Sequence, residues 1–161
     1  MNLFESNGAM FSDCGRHREY LWRIWDKSKP KLMFIGLNPS TANADSDDPT
    51  IRKITSICKH NGFGGFYMLN LFTFISTDPK LLNVKNGNID RANENLLVIS
   101  DFCESIVMAW GNFSVMGRDD EVKKLFPKAL ALKVNKNGSP KHPLYCKNES
   151  TFVNYDTVLT P

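Results

Sequence analysis

LMFIGLNPSTANADSDDPT, residues 32–50, is the stretch whose reading decides the fold. Residues 32–35 form a continuous apolar run, the pattern of a strand buried on both faces. The turn Gly36-Leu37-Asn38-Pro39-Ser40 breaks that run, because Gly36 admits close backbone approach and Pro39 has no amide to give to a ladder. After the polar segment 41–48, a helix is predicted. Asp48 suits its N-cap, Pro49 its first position, and Ile51, Ile54, Ile57 and Cys58 share one face. Lys59 and His60 suit the last turn, and Gly62 can stop the helix. Residues 65–71, GFYMLNL, read as a second buried strand. Strand, helix and strand over 32–71 predict a right-handed parallel crossover. Ligands of such sheets bind at the carboxyl ends of the strands, which puts Asn38 in any site.

The flanking chain extends the pattern. Residues 19–26, EYLWRIWD, alternate as a strand with Tyr20, Trp22 and Ile24 on one face and Leu21, Arg23 and Trp25 on the other, before a Lys27-Ser28-Lys29-Pro30 turn. No periodicity is visible before it. Asp78-Pro79 repeats the cap-plus-proline signal for a short helix over 79–82, and 83–88 is a polar loop. Residues 89–103 read as a long helix with Ile89, Ala92, Leu96, Ile99 and Cys103 inward, followed by a third buried strand over 105–110. A helix over 119–126 and a fourth strand over 129–134 lead into the loop 135–147, which carries His142-Pro143. No element is assigned to the tail. Buried strands alternating with helices predict an α/β sandwich with a central, mostly parallel four-stranded sheet, plus an N-terminal edge strand, in one domain over residues 1–161.

The bulk properties exclude more than they select. The chain has 161 residues, 42% hydrophobic and 23% charged, as in a soluble globular domain. A formal charge of +3 permits contact with a polyanion without arguing for one. Arg16, His17 and Arg18, with Lys27, Lys29, Lys31, Lys123, Lys124 and Lys128, read as ordinary surface charge. No apolar run reaches the roughly 18 residues of a membrane span, and the first ten residues do not read as a secretory signal. The four cysteines lie far apart without a CxxC pair and the three histidines are scattered. A reduced, cytoplasmic protein with no metal, no cofactor and no membrane partner is expected.

Four features fall at strand carboxyl ends: Asn38 after the first, Asn70 at the end of the second, Trp110-Gly111 after the third and His142 after the fourth. On parallel strands they share one sheet edge. GLNPSTANADSDDPTIRK, LNLFTFISTDP, AWG and SPKHPLY together resemble a bacterial family catalogued as domain of unknown function 1643, which implies no activity. More distantly, Gly36-Leu37-Asn38-Pro39, Leu69-Asn70, Ala109-Trp110-Gly111 and His142-Pro143 resemble, in order, the motifs of the uracil-DNA glycosylase superfamily, closest to its mismatch-specific branch. That resemblance implies a three-layer α/β sandwich of the glycosylase type and hydrolysis of an N-glycosidic bond, with a nucleobase, nucleotide or nucleic acid as partner. It makes Asn38 and His142 the catalytic pair, orienting water and hydrogen-bonding the departing base. Gly36, Leu37, Pro39, Ser40, Asn70, Phe72, Trp110, Gly111 and Pro143 become substrate-binding, with Asn70 reading the base edge bidentately and Phe72 or Phe74 stacking on it.

Two departures stand against the pattern. The stretch where that superfamily carries a stacking aromatic is here the acidic segment 40–48, and Leu144-Tyr145 replace the Ser and Pro that follow its His-Pro. Alternatives stay open on the residues alone. Asn38-Pro39 is also a common turn former, Asn70 equally suits a neighbouring loop backbone, and Trp110 suits core packing better than a ligand platform. Asp45, Asp47 and Asp48 form either a solvated loop with a helix cap or a site for a divalent cation. A non-catalytic nucleotide or nucleic-acid binding module is the alternative to an enzyme.

Overall fold

The computed structural model describes residues 6–78, 80, 89–112 and 117–155. Its strands are β1 (Ser6–Phe11), β2 (Arg18–Ile24), β3 (Lys31–Gly36), β4 (Gly65–Asn70), β5 (Ser105–Met108), β6 (Leu130–Ala131) and β7 (Val153–Asn154). Its helices are α1 (Pro49–His60), α2 (Ile89–Ser100) and α3 (Arg118–Leu125). All seven strands form one sheet in the order β1-β2-β4-β3-β5-β6-β7. The pairs β3·β4, β3·β5 and β5·β6 are parallel, whereas β1·β2, β2·β4 and β6·β7 are antiparallel.

The sheet therefore differs from the mostly parallel four-stranded one that the apolar runs predict. Those runs mark strands buried on both faces, and the antiparallel strands are not of that kind. β1, SNGAMF, is half polar, and β7 has two residues, both exposed. β2 is also no edge strand. β1 covers it, and Gly8 makes room for the Trp22 ring, since a Cβ there would lie 2.1 Å from Trp22 Cζ2. The fourth strand is two residues long, Leu130–Ala131, because Pro140 bridges back to Val134 and the chain turns into the following loop. The short helix predicted over 79–82 falls almost wholly outside the described residues.

Strict alternation along β3 builds two cores. Leu32 and Phe34 face α1 and pack with Ile51, Ile54, Ile57 and Cys58, joined by Phe66, Met68 and Val107 from the neighbouring strands. Met33 and Ile35 face the other way, against Leu96 of α2 and Val122 of α3. Helices thus cover both faces of the sheet, and α1 is capped as its sequence predicts, with Asp48 accepting from the Ile51 amide at 2.9 Å. Arg118, buried among these layers, donates through Nε to Leu71 O (2.8 Å) and through Nη1 to Asn93 Oδ1 (2.7 Å), tying the end of β4 to α2 and α3. Among the described residues no helix is long and apolar enough to cross a membrane. The four cysteines are unbridged.

Candidate functional site

In this strand order the chain leaves β3 toward β4 and leaves β5 toward β6. The turns after β3 and β5 diverge, which opens a crevice between their carboxyl ends, the place where doubly wound sheets bind ligands. A cleft of about 640 Å³ lies there, within the usual size of small-molecule sites.

The first wall is the turn after β3. Gly36 O accepts from Leu71 N (2.8 Å), Leu37 O from Phe72 N (3.0 Å) and Pro39 O from Ser76 N (3.0 Å), so the segment after β4 continues alongside the turn. Asn38 locks the two together. Its Nδ2 donates to Ser76 O (2.7 Å), Pro39 O (3.1 Å) and Phe74 O (3.4 Å). Three carbonyls around one amide nitrogen decide which way the group points, and Oδ1 is left as an acceptor for the cleft.

The floor comes from β2 and β4. Asn70, 5% exposed, shares the α1-facing side of β4 with Phe66 and Met68, and its Oδ1 accepts from Arg18 Nη2 (3.4 Å). Arg18 reaches it because of a bulge. Met10 pairs with Tyr20 and Phe11 with Arg18, so Glu19 is skipped and the alternation of β2 inverts. Glu19 then turns to Arg91 of α2, while Arg18 turns to the opposite side of the sheet. The surface role read for Arg18 from sequence is therefore corrected: the residue is 3% exposed and lines the cleft. Burial lowers its pKa to about 10, with Asp48 opposing the shift, and it remains cationic at neutral pH.

The second wall follows β5. Gly111, at φ 80°, donates its amide to Pro140 O (2.9 Å), and a Cβ there would lie 3.3 Å from His142 Cβ. The short 3₁₀ turn Pro143–Tyr145 packs on α1, and His142 caps it, Nδ1 accepting from the Leu144 amide at 3.2 Å. That bond puts the proton of the neutral imidazole on Nε2. Burial lowers the His142 pKa against a weaker pull from Asp48, which keeps the ring neutral near pH 7.

The cleft thus gathers Gly36, Leu37, Asn38, Ser40, Asn70, Trp110, Gly111 and His142, eight positions singled out from the sequence on separate elements. Pro39 and Pro143 are buried and do not line it. Phe72 does not either: it is 1% exposed in the α2/α3-side core, because β4 ends at Asn70 and the chain beyond it leaves the strand alternation that would have kept Phe72 on the Asn70 side. Trp110 does both jobs, lining the cleft while stacking edge-on against Tyr155 in the core. Arg18 and Tyr145 line the cleft although the sequence reading does not place them in a site, and Asp48, expected as a helix cap or cation ligand, lines it too. Tyr145 is 76% exposed at the mouth, edge-on to His142 at 6.1 Å, and Leu144 beside it is exposed as well. An aromatic next to a His-Pro turn was the available signal for Tyr145; the bulge that aims Arg18 leaves none.

The acidic segment is largely accounted for. Asp47 pairs with buried Arg23 (2.9 Å), and Asp48 caps α1. Among the described residues no group of three or more His, Cys, Asp or Glu side chains stands ready for a metal ion.

Fold and cleft define an α/β protein with a polar, partly cationic crevice at the switch point of its sheet. The chain belongs to the family described as Protein of unknown function (DUF1643), whose model matches residues 18–144, from the buried arginine of β2 to the turn after His142. No curated protein and no solved structure matches it significantly.

Proposed function

We propose that the cleft recognises a nucleobase or nucleotide and hydrolyses its N-glycosidic bond, on a fold of the uracil-DNA glycosylase type. The observation that carries this reading is the meeting of Asn38, Asn70 and His142 in one cleft from three segments far apart in sequence. Cleavage of the bond between C1′ and the base nitrogen builds positive charge on the sugar and negative charge on the base. In this reading the Nε2 hydrogen of neutral His142 hydrogen-bonds the departing base, which lowers the energy of the anion as it forms. Asn38 Oδ1, held by the three carbonyls that bind its amide nitrogen, orients the water that adds to C1′ and then releases a proton to solvent. Tyr145 supplies the stacking face expected of Phe72.

The second reading, a binding module without turnover, is favoured by the chemistry of Asn38, since an amide orients water but is a weak base. One experiment separates the two. Base release is measured over uracil-containing and mismatched duplexes, single strands, nucleosides and nucleotides, with Asn38→Ala as control. Release from at least one substrate, abolished in Asn38→Ala, is the expected result. Release that survives Asn38→Ala overturns the mechanism, and binding without release from any substrate assigns the binding module.

A further inference from the structure

We infer that the floor of the cleft, built on Arg18 and Asn70, is an anion subsite that takes a phosphate of the ligand. This rests on the nucleotide reading above and narrows it to a phosphorylated nucleotide.

Three arginines are buried among the described residues: Arg18 (3% exposed), Arg23 (5%) and Arg118 (2%). Arg23 pairs with Asp47 at 2.9 Å and Arg118 with Glu121 at 3.4 Å. Arg18, the one in the cleft, has no carboxylate within ion-pair distance among the described residues. Its Nη1 donates to Ala42 O (3.1 Å), its Nη2 makes the 3.4 Å bond to Asn70 Oδ1, and its Nε has no partner. The nearest opposing charge, Asp48, acts on it from farther off while holding the Ile51 amide. A buried cation without a counter-charge is costly to keep, whereas an anion arriving in the cleft removes that cost.

Asn70 points the same way. With Oδ1 engaged by Arg18, the atom it has left is Nδ2, which donates to no described residue. The floor therefore offers donors and positive charge. A neutral base edge mixes donors with acceptors, but an oxyanion accepts throughout, and a guanidinium beside an amide suits it. The amino end of α1 opens on the same cleft, where the Asp48 carboxylate caps it.

The test uses the full chain. Unfolding midpoints are measured in inorganic phosphate, acetate and chloride at matched ionic strength, and affinities are measured for nucleosides against their 5′-monophosphates. Phosphate is expected to raise the midpoint saturably while chloride does not, and monophosphates to bind at least about tenfold tighter than nucleosides, an ordinary gain for a charge-assisted contact. Arg18→Gln abolishes both effects. Because that change risks unfolding a buried site, Asn70→Asp is the second variant. It supplies Arg18 with the missing carboxylate, so it folds with a midpoint at or above wild type yet loses the phosphate response. No phosphate effect beyond chloride in the wild type overturns the subsite, as does a full phosphate response in Asn70→Asp. Acetate matching phosphate overturns the phosphate assignment. Equal binding of nucleosides and monophosphates removes the subsite and leaves the nucleotide reading standing, whereas phosphate stabilisation with neither bound does the reverse.

Discussion

Replacing Gly36 with alanine places a methyl group 2.6 Å from Met68 Cε and 2.9 Å from Asn70 Nδ2. Carbon atoms rest at roughly 3.5–4.0 Å, so Met68 has to retreat by about 1 Å and the Asn70 amide by about half that. Met68 ends in a flexible thioether beside the cleft and yields easily. Asn70 does not: it sits directly opposite Gly36 in the β3·β4 register, and its Oδ1 is already at 3.4 Å from Arg18 Nη2. Moving it breaks that bond and turns the amide away from the cleft. Overpacking of this kind costs about 1–3 kcal/mol, which for a domain of this size lowers the thermal midpoint by roughly 2–4 °C per kcal/mol. Ligand affinity falls with the displaced amide. Thermal and urea unfolding read the first effect and calorimetric titration with a nucleotide reads the second. Gly36→Ala/Met68→Leu recovers part of the stability and none of the affinity, because the collision with Asn70 remains. A Gly36→Ala protein with an unchanged midpoint and unchanged affinity refutes the reasoning.

Tyr145→Ala removes a mostly exposed ring, so stability stays within about 0.5 kcal/mol, while loss of base stacking weakens nucleotide binding by about 1–3 kcal/mol; equal affinity for both proteins removes Tyr145 from the site. His142 has a folded pKa below its unfolded value of about 6.5 because burial disfavours the cation. The unfolded chain thus binds the proton first, so stability is full above that pH and falls as the pH drops toward the folded pKa. Protonation also sets an Nδ1 hydrogen against the Leu144 amide that caps the 3₁₀ turn. His142→Gln is expected to flatten this part of the stability–pH curve, and an identical slope in both proteins contradicts it. Asp47→Ala leaves Arg23 buried with its carbonyl contacts to Trp22 (2.9 Å) and Asn43 (2.5 Å) but without its carboxylate. Because the Asp47 side chain is 39% exposed, the loss is discounted to about 1–3 kcal/mol in urea unfolding. Ca²⁺ or Mg²⁺ is expected to leave the wild-type midpoint where it is, and a saturable rise on adding either ion returns the acidic segment to metal binding.

Local sequence determined the elements whose chemistry is local. The apolar run before Gly36, the Asp48-Pro49 start of α1 and the Leu-Asn and Trp-Gly strand endings each carry their own period or cap, and they put Asn38, Asn70, Trp110, Gly111 and His142 at one sheet edge without reference to any tertiary contact. Phe72 was misplaced because an aromatic two residues beyond Asn70 reads as available, whereas the chain past β4 turns it into the core. β1 and β7 escaped because their pairing energy comes from the neighbouring strand rather than from a pattern of their own. Arg18 is the sharpest case. Strict alternation sets it on the Tyr20 side of β2, and one skipped residue opposite β1 sends it across the sheet to Asn70. A bulge is a relation between two strands, so residues 18–20 hold no trace of it. The sequence determined where a site would form; the tertiary structure decided that its floor is cationic, because the pairing of β1 with β2 selects which face a buried charge must occupy.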